Sequence, residues 1–146
     1  MSMPISEYSY QGNSEILSNL TYLMPVILVA EDNHMNLELM LTILRENGYE
    51  TLEAADGLAA FELARKNLPD LILMDINMPG TDGNEALDML RQEQLTSTIP
   101  VNAVTGNATN DDIEQMQARG FAATVCKPYR IDDLLATISD FLKAEN

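Results

Sequence analysis

From Pro25 onward the chain alternates five times between a short apolar run and a longer segment with helical periodicity. The short runs are "VILVA" (26–30), "ETLEA" (50–54, the weakest), "LILM" (71–74), "VNAVT" (101–105) and "AATVC" (122–126). The longer segments are "NLELMLTILREN" (36–47), "GLAAFELARKN" (57–67), "GNEALDMLRQE" (83–93), "NDDIEQMQARG" (110–120) and "IDDLLATISDFLKAE" (131–145). A continuous apolar run reads as a strand covered on both faces, whereas apolar residues three and four apart read as one side of a helix. Leu37, Met40, Leu41 and Leu44 form such a stripe in the first long segment, and Gly48 stands beyond it as a stop. Leu68-Pro69-Asp70 ends the second, and Gly120 closes the fourth. Repeated strand–helix alternation leaves few solutions. Parallel strands need crossovers, and crossovers are right-handed, so the reading is a doubly wound α/β domain with a five-stranded parallel sheet.

The length of 146 residues suits one such domain, and an apolar share of 46% is ordinary for a globular core. Residues 1–24 stand apart as an N-terminal arm, and residues 25–146 form the domain. Within the arm, "SEILSNLTYL" has Ser14 as a helix cap and a stripe of Ile16, Leu17, Leu20 and Leu23, which reads as a short helix. Eight basic and 23 acidic residues give a net charge of −15. Such a chain repels nucleic acid and anionic membranes, so direct nucleic-acid binding and membrane insertion are not expected. No apolar stretch is long enough to span a bilayer, and the first residues carry no secretory pattern. The one cysteine, Cys126, permits no internal disulfide and fits a reducing cytoplasm; it is expected to be buried and inert.

In a sheet of this type, functional groups gather at the carboxyl ends of the strands. The first strand delivers Glu31 and Asp32, the third Asp75, the fourth Thr105 and the fifth Lys127. An unpaired buried carboxylate is costly, so an acid at the tip of the "LILM" run calls for partners. Clustered carboxylates repel, and a hard divalent cation with oxygen ligands relieves that repulsion. One acid of such a group can act as a nucleophile and form an acyl phosphate. An incoming phosphoryl group needs positive charge on its equatorial oxygens, which a cation and Lys127 supply, and Thr105 can donate a hydrogen bond. Plainer roles compete: Asp75 as a strand-end cap, Asp32 or Asn33 as a helix cap, Thr105 as strand filler, Lys127 as a surface lysine.

Glu31-Asp32, Asp75, Thr105 and Lys127-Pro128, with "EDNHMN" and "MDINMPGTDG" around the acids, resemble the receiver domain of two-component response regulators and of hybrid sensor kinases. The resemblance covers residues 25 to 144 and implies a flavodoxin-like (βα)5 fold with strand order 2-1-3-4-5. It implies transfer of a phosphoryl group from a partner's phosphohistidine to Asp75, assisted by Lys127 and Thr105. Mg²⁺, with Mn²⁺ able to stand in, would be held by Asp32, Asp75, the main-chain carbonyl of Asn77 and, largely through water, Glu31. It further implies a cis Lys127–Pro128 bond. The partners would be a histidine kinase or a histidine phosphotransfer protein and a downstream protein target. Such a chain catalyses only its own phosphorylation and dephosphorylation. The expectation is a stand-alone receiver or one excised from a longer kinase, without a DNA-binding output domain.

Three positions depart from the family pattern: Thr124 replaces an aromatic or histidine, Asn102 interrupts the fourth strand, and Gly106 follows the hydroxyl residue. Thr124 and Asn102 motivate one alternative, a binding module that signals without phosphate, against which stands the retention of all five polar residues. A nucleotide- or flavin-binding enzyme is disfavoured, because the first loop has two acids and no glycine to cradle a pyrophosphate. An aspartyl phosphohydrolase would usually carry a second Asp where Asn77 stands.

Overall fold

The computed structural model describes residues 24–106 and 108–142. Its elements are β1 (Val26–Ala30), α1 (His34–Glu46), β2 (Glu50–Ala54), α2 (Gly57–Asn67), β3 (Leu71–Asp75), α3 (Gly83–Gln92), β4 (Val101–Thr105), α4 (Asn110–Arg119), β5 (Ala123–Cys126) and α5 (Ile131–Phe141). Neighbouring strands pair in parallel in the order β2-β1-β3-β4-β5. This is the doubly wound, flavodoxin-like sheet that the alternation and the resemblance imply. The arm lies outside the described residues as far as residue 23, as does the stretch from 143, where the pattern of the last helix continues.

Side chains alternate across each strand, so the sheet carries two cores. One packs Leu28, Ile72, Met74 and Val101 against Ala60 and Ala64 of α2 and Leu87 and Leu90 of α3. The other packs Ile27, Val29, Leu71 and Leu73 against Leu37, Leu41 and Leu44 of α1 and Leu134 and Ile138 of α5. Each of these larger side chains contributes roughly 1.5–3 kcal/mol on burial. β3 lies at the centre and is buried along its whole length, Asp75 included.

Local chemistry sets the element ends. The Asn33 side chain accepts from the Asn36 N–H at 2.9 Å, so α1 begins at His34, earlier than its apolar stripe indicates. That makes Asn33 the cap and leaves Asp32 without that duty. Asp82 and Glu85 form a reciprocal capping box at the start of α3. Gly83 donates its N–H to the Ile76 carbonyl at 3.1 Å, and a Cβ there would stand 2.5 Å from the Asp75 carbonyl oxygen. Only glycine lets α3 close on the backbone directly behind Asp75.

Two residues depart from the simplest core. Cys126, expected to be buried, is exposed. It ends an edge strand, on the face opposite buried Val125, and that face is covered by α4, which buries none of its own residues. Asn102 is fully buried, and neither its Oδ1 nor its Nδ2 has a hydrogen-bond partner among the described residues. Its register opposite Leu73 and Ala123 puts it on the α1–α5 side of the sheet. An unsatisfied buried amide costs about 1–3 kcal/mol. Asn102→Leu, close in shape, is therefore expected to raise the melting temperature by roughly 2–8 °C, read by circular dichroism. An unchanged or lower melting temperature would show that the amide carries no such penalty.

Candidate functional site

The sheet itself brings the polar residues together. Glu31 extends β1, its N–H donating to the Ala54 carbonyl at 3.0 Å. Asp75 is the last residue of β3 and Thr105 the last of β4. Lys127 follows β5, and its N–H donates to the Thr105 carbonyl at 2.7 Å. In-register parallel pairing thus carries four strand ends to one edge, where Glu31 is 6% and Asp75 5% exposed.

Carboxylate oxygens of Glu31, Asp32 and Asp75 lie within 4.8 Å of one another. Buried like charges at that range need compensation. Lys127 provides it: its Nζ lies 2.9 Å from Glu31 Oε1 and 3.3 Å from Asp75 Oδ2. The remaining oxygens of the two buried acids accept main-chain hydrogen bonds. Glu31 Oε2 accepts from the Asn33 N–H and Asp75 Oδ1 from the Asn77 N–H, each at 3.0 Å. Burial by itself lowers the pKa of Lys127, but the hydrogen bond it donates to Glu31, the charges of Asp75 and Glu31 and the bond it donates to Asp75 outweigh it. The net direction is upward from the ordinary 10.5.

Asp32 is exposed and takes no part in the lysine pair, so it presents a carboxylate to solvent beside the buried two. The donor set is all oxygen, small and anionic, and fits a hard divalent cation better than a soft metal. Thr105 is buried at 6% exposure. The Lys127–Pro128 bond is cis, as the resemblance implies. Thr124 is half-buried and its hydroxyl lies 3.8 Å from Met116 Sδ of α4.

All five side chains singled out in the sequence meet at this edge, and Asn77 joins them through its main chain. Asn33 does more than cap α1. It also holds Glu31 through its N–H, a role signalled by nothing but its place two residues after the acid. Tyr129, next to the lysine, packs its ring toward α1 with its hydroxyl 3.9 Å from Met40 Sδ. Burial foremost, with Glu31 adding and Lys127 opposing, raises the pKa of that phenol.

Comparison with known proteins agrees with this geometry. The family model described as "Response regulator receiver domain" matches residues 27–139. The polar-differentiation response regulator DivK of Brucella ovis is 37% identical over 116 residues, covering 80% of this chain and 94% of the relative. The chemotaxis protein CheY4 of Vibrio cholerae superposes with a TM-score of 0.77 at 28% identity, over 82% of this chain and 99% of that one. The receiver domain of sensor histidine kinase PA1611 from Pseudomonas aeruginosa gives 0.76 at 30% identity, over 83% and 99%. That structure has a magnesium ion coordinated in its active-site cleft.

The pairing of Lys127 has a pH signature. Its folded pKa is raised, so the stability it contributes is fully present below 10.5 and is lost as pH rises through the folded value. Lys127→Met is expected to melt below the wild type at neutral pH, because Glu31 and Asp75 lose their cation. The gap should narrow above pH 10.5 in parallel thermal melts. A gap independent of pH would mean that the amine is not what holds the acids.

Proposed function

Because the chain belongs to the response regulator receiver domain family, we propose that it accepts a phosphoryl group on Asp75 from a phosphohistidine of a partner protein. The observation that carries this reading is the setting of Asp75. It is a buried carboxylate with one oxygen on the Lys127 amine, the other on the Asn77 N–H, and two further acids within reach. A merely structural acid needs the lysine and the amide. It has no use for Glu31 and Asp32 crowded beside it.

In the reaction a carboxylate oxygen of Asp75 attacks phosphorus. The bond from phosphorus to the donor imidazole nitrogen breaks, and its electron pair returns to the ring. The product is an acyl phosphate on Asp75; attack by water later returns the free acid and phosphate. Lys127, which bridges Glu31 and Asp75 in the resting arrangement, can follow the charge onto a phosphoryl oxygen without leaving the site. The Thr105 hydroxyl can donate to another. Asp32, Asp75 and the Asn77 carbonyl, with Glu31 largely through water, would hold Mg²⁺ or Mn²⁺, which supplies positive charge to the equatorial oxygens. The protein would catalyse only its own phosphorylation and dephosphorylation.

The role is then to relay or switch a two-component signal. A histidine kinase or histidine phosphotransfer protein would be the donor and another protein the target, both in the cytoplasm. Among the described residues, no helix is long and apolar enough to cross a membrane. The output path differs from the family pattern at Thr124, whose hydroxyl rests against Met116. Movement of Thr105 toward a phosphoryl group would be read by a threonine–methionine contact rather than by an aromatic ring.

Incubation with acetyl phosphate and Mg²⁺ is expected to add one phosphoryl group by intact mass, and Asp75→Asn to add none. Omitting the cation should abolish the gain. Label that persists on folded Asp75→Asn would overturn the assignment.

A further inference from the structure

On the α1–α5 side of the sheet, beside the Glu31–Lys127 pair, lies a cavity of about 340 Å³. Its apolar walls are Val29, Leu73 and Val104 from the sheet, Leu39 and Met40 from α1, and Tyr129 after β5. Glu31, Asn36 and Lys127 form its polar side, while Leu39 on its rim is 54% exposed. Other hollows are of a different kind. The one near Leu95, on the α2 side, is walled mainly by Glu62, Arg65 and Lys66.

We propose that this cavity is the docking site of the chain's own residues 14–23, which lie outside the described residues. Three observations point to this occupant. In sequence, "SEILSNLTYL" spaces Ile16, Leu17, Leu20 and Leu23 as one side of a helix would need them and carries a single charge, Glu15. A helix of that length is marginal in water, so the stripe needs a surface to cover it. The reach also fits. Pro25 is already bound into the sheet, its carbonyl accepting the Glu50 N–H at 2.9 Å, so the arm departs from the amino end of β1. Ten helical residues span about 15 Å and the five residues of β1 about 17 Å, so an arm folded back along the α1–α5 groove brings Ile16 and Leu17 level with Val29. Finally, the tether is short, and a short tether raises the effective concentration of the segment far above that of a free partner.

Docking of the arm does not depend on the phosphoryl reading of the neighbouring acids, and its test is independent of phosphorylation. The full chain is labelled with a nitroxide at Ser14→Cys in a Cys126→Ser background, and its methyl groups are observed by NMR. Strong broadening of the Val29, Val104 and Leu39 methyls is expected. It should be relieved by Leu17→Asp in the arm and by Leu39→Asp on the rim, where the exposed side chain leaves both cores intact. Broadening centred on Leu58 or Leu95, or spread evenly over the surface, would overturn the proposal. So would broadening that appears only when nitroxide and isotope labels are carried by different copies, which would assign the cavity to a second chain.

Discussion

The contact of Lys127 with Glu31 and Asp75 is the constraint on which the rest of the structure turns. Two carboxylates at 6% and 5% exposure could not share the edge of an apolar sheet without a cation. The lysine that pairs with them comes from the far edge strand, at 2.9 Å and 3.3 Å. For that to happen β1, β3, β4 and β5 must lie in register with their carboxyl ends level. The site is therefore a product of the sheet, and the sheet ends in a site that a single ammonium part-neutralises. Two acids are paired to it and Asp32 is left over. An imbalance of that sign is suited to receiving a divalent cation and then an anionic phosphoryl group.

Main-chain groups complete this balance. Asn33 and Asn77 each turn an N–H toward a carboxylate two residues earlier, so the loops after β1 and β3 are shaped by the acids they follow. Gly83 allows α3 to begin directly behind Asp75. The same packing that steadies the site leaves two places less committed. Asn102 sits unpartnered in the core beneath the α1–α5 face, and α4 covers β5 without burying any residue of its own. The lightly packed helix is the one that meets Thr124.

Much of this was legible in the chain. Apolar runs of strand length and stripes of helix spacing foretold all ten elements of the described residues, since period and burial are properties of neighbouring residues. Glu31, Asp32, Asp75, Thr105 and Lys127 could be singled out because each directly ends or follows a strand. One misreading and one choice left open share a cause. Cys126 is small and apolar enough for a core, yet its burial depends on how closely a helix from elsewhere in the chain settles over the edge strand. The choice between Asp32 and Asn33 as cap depended on where the turn aimed each side chain.

What the sequence determined by itself, then, was the alternation, the two-sided sheet and the identity of the acids, hydroxyl and amine, because local pattern and strand order carry that information. Only the tertiary structure decided which acids Lys127 holds, that Asp32 stays open, that Asn102 goes unsatisfied and that an apolar cavity opens beside the site. Each of these depends on distances between residues far apart in the chain, and those distances exist only once the strands have paired.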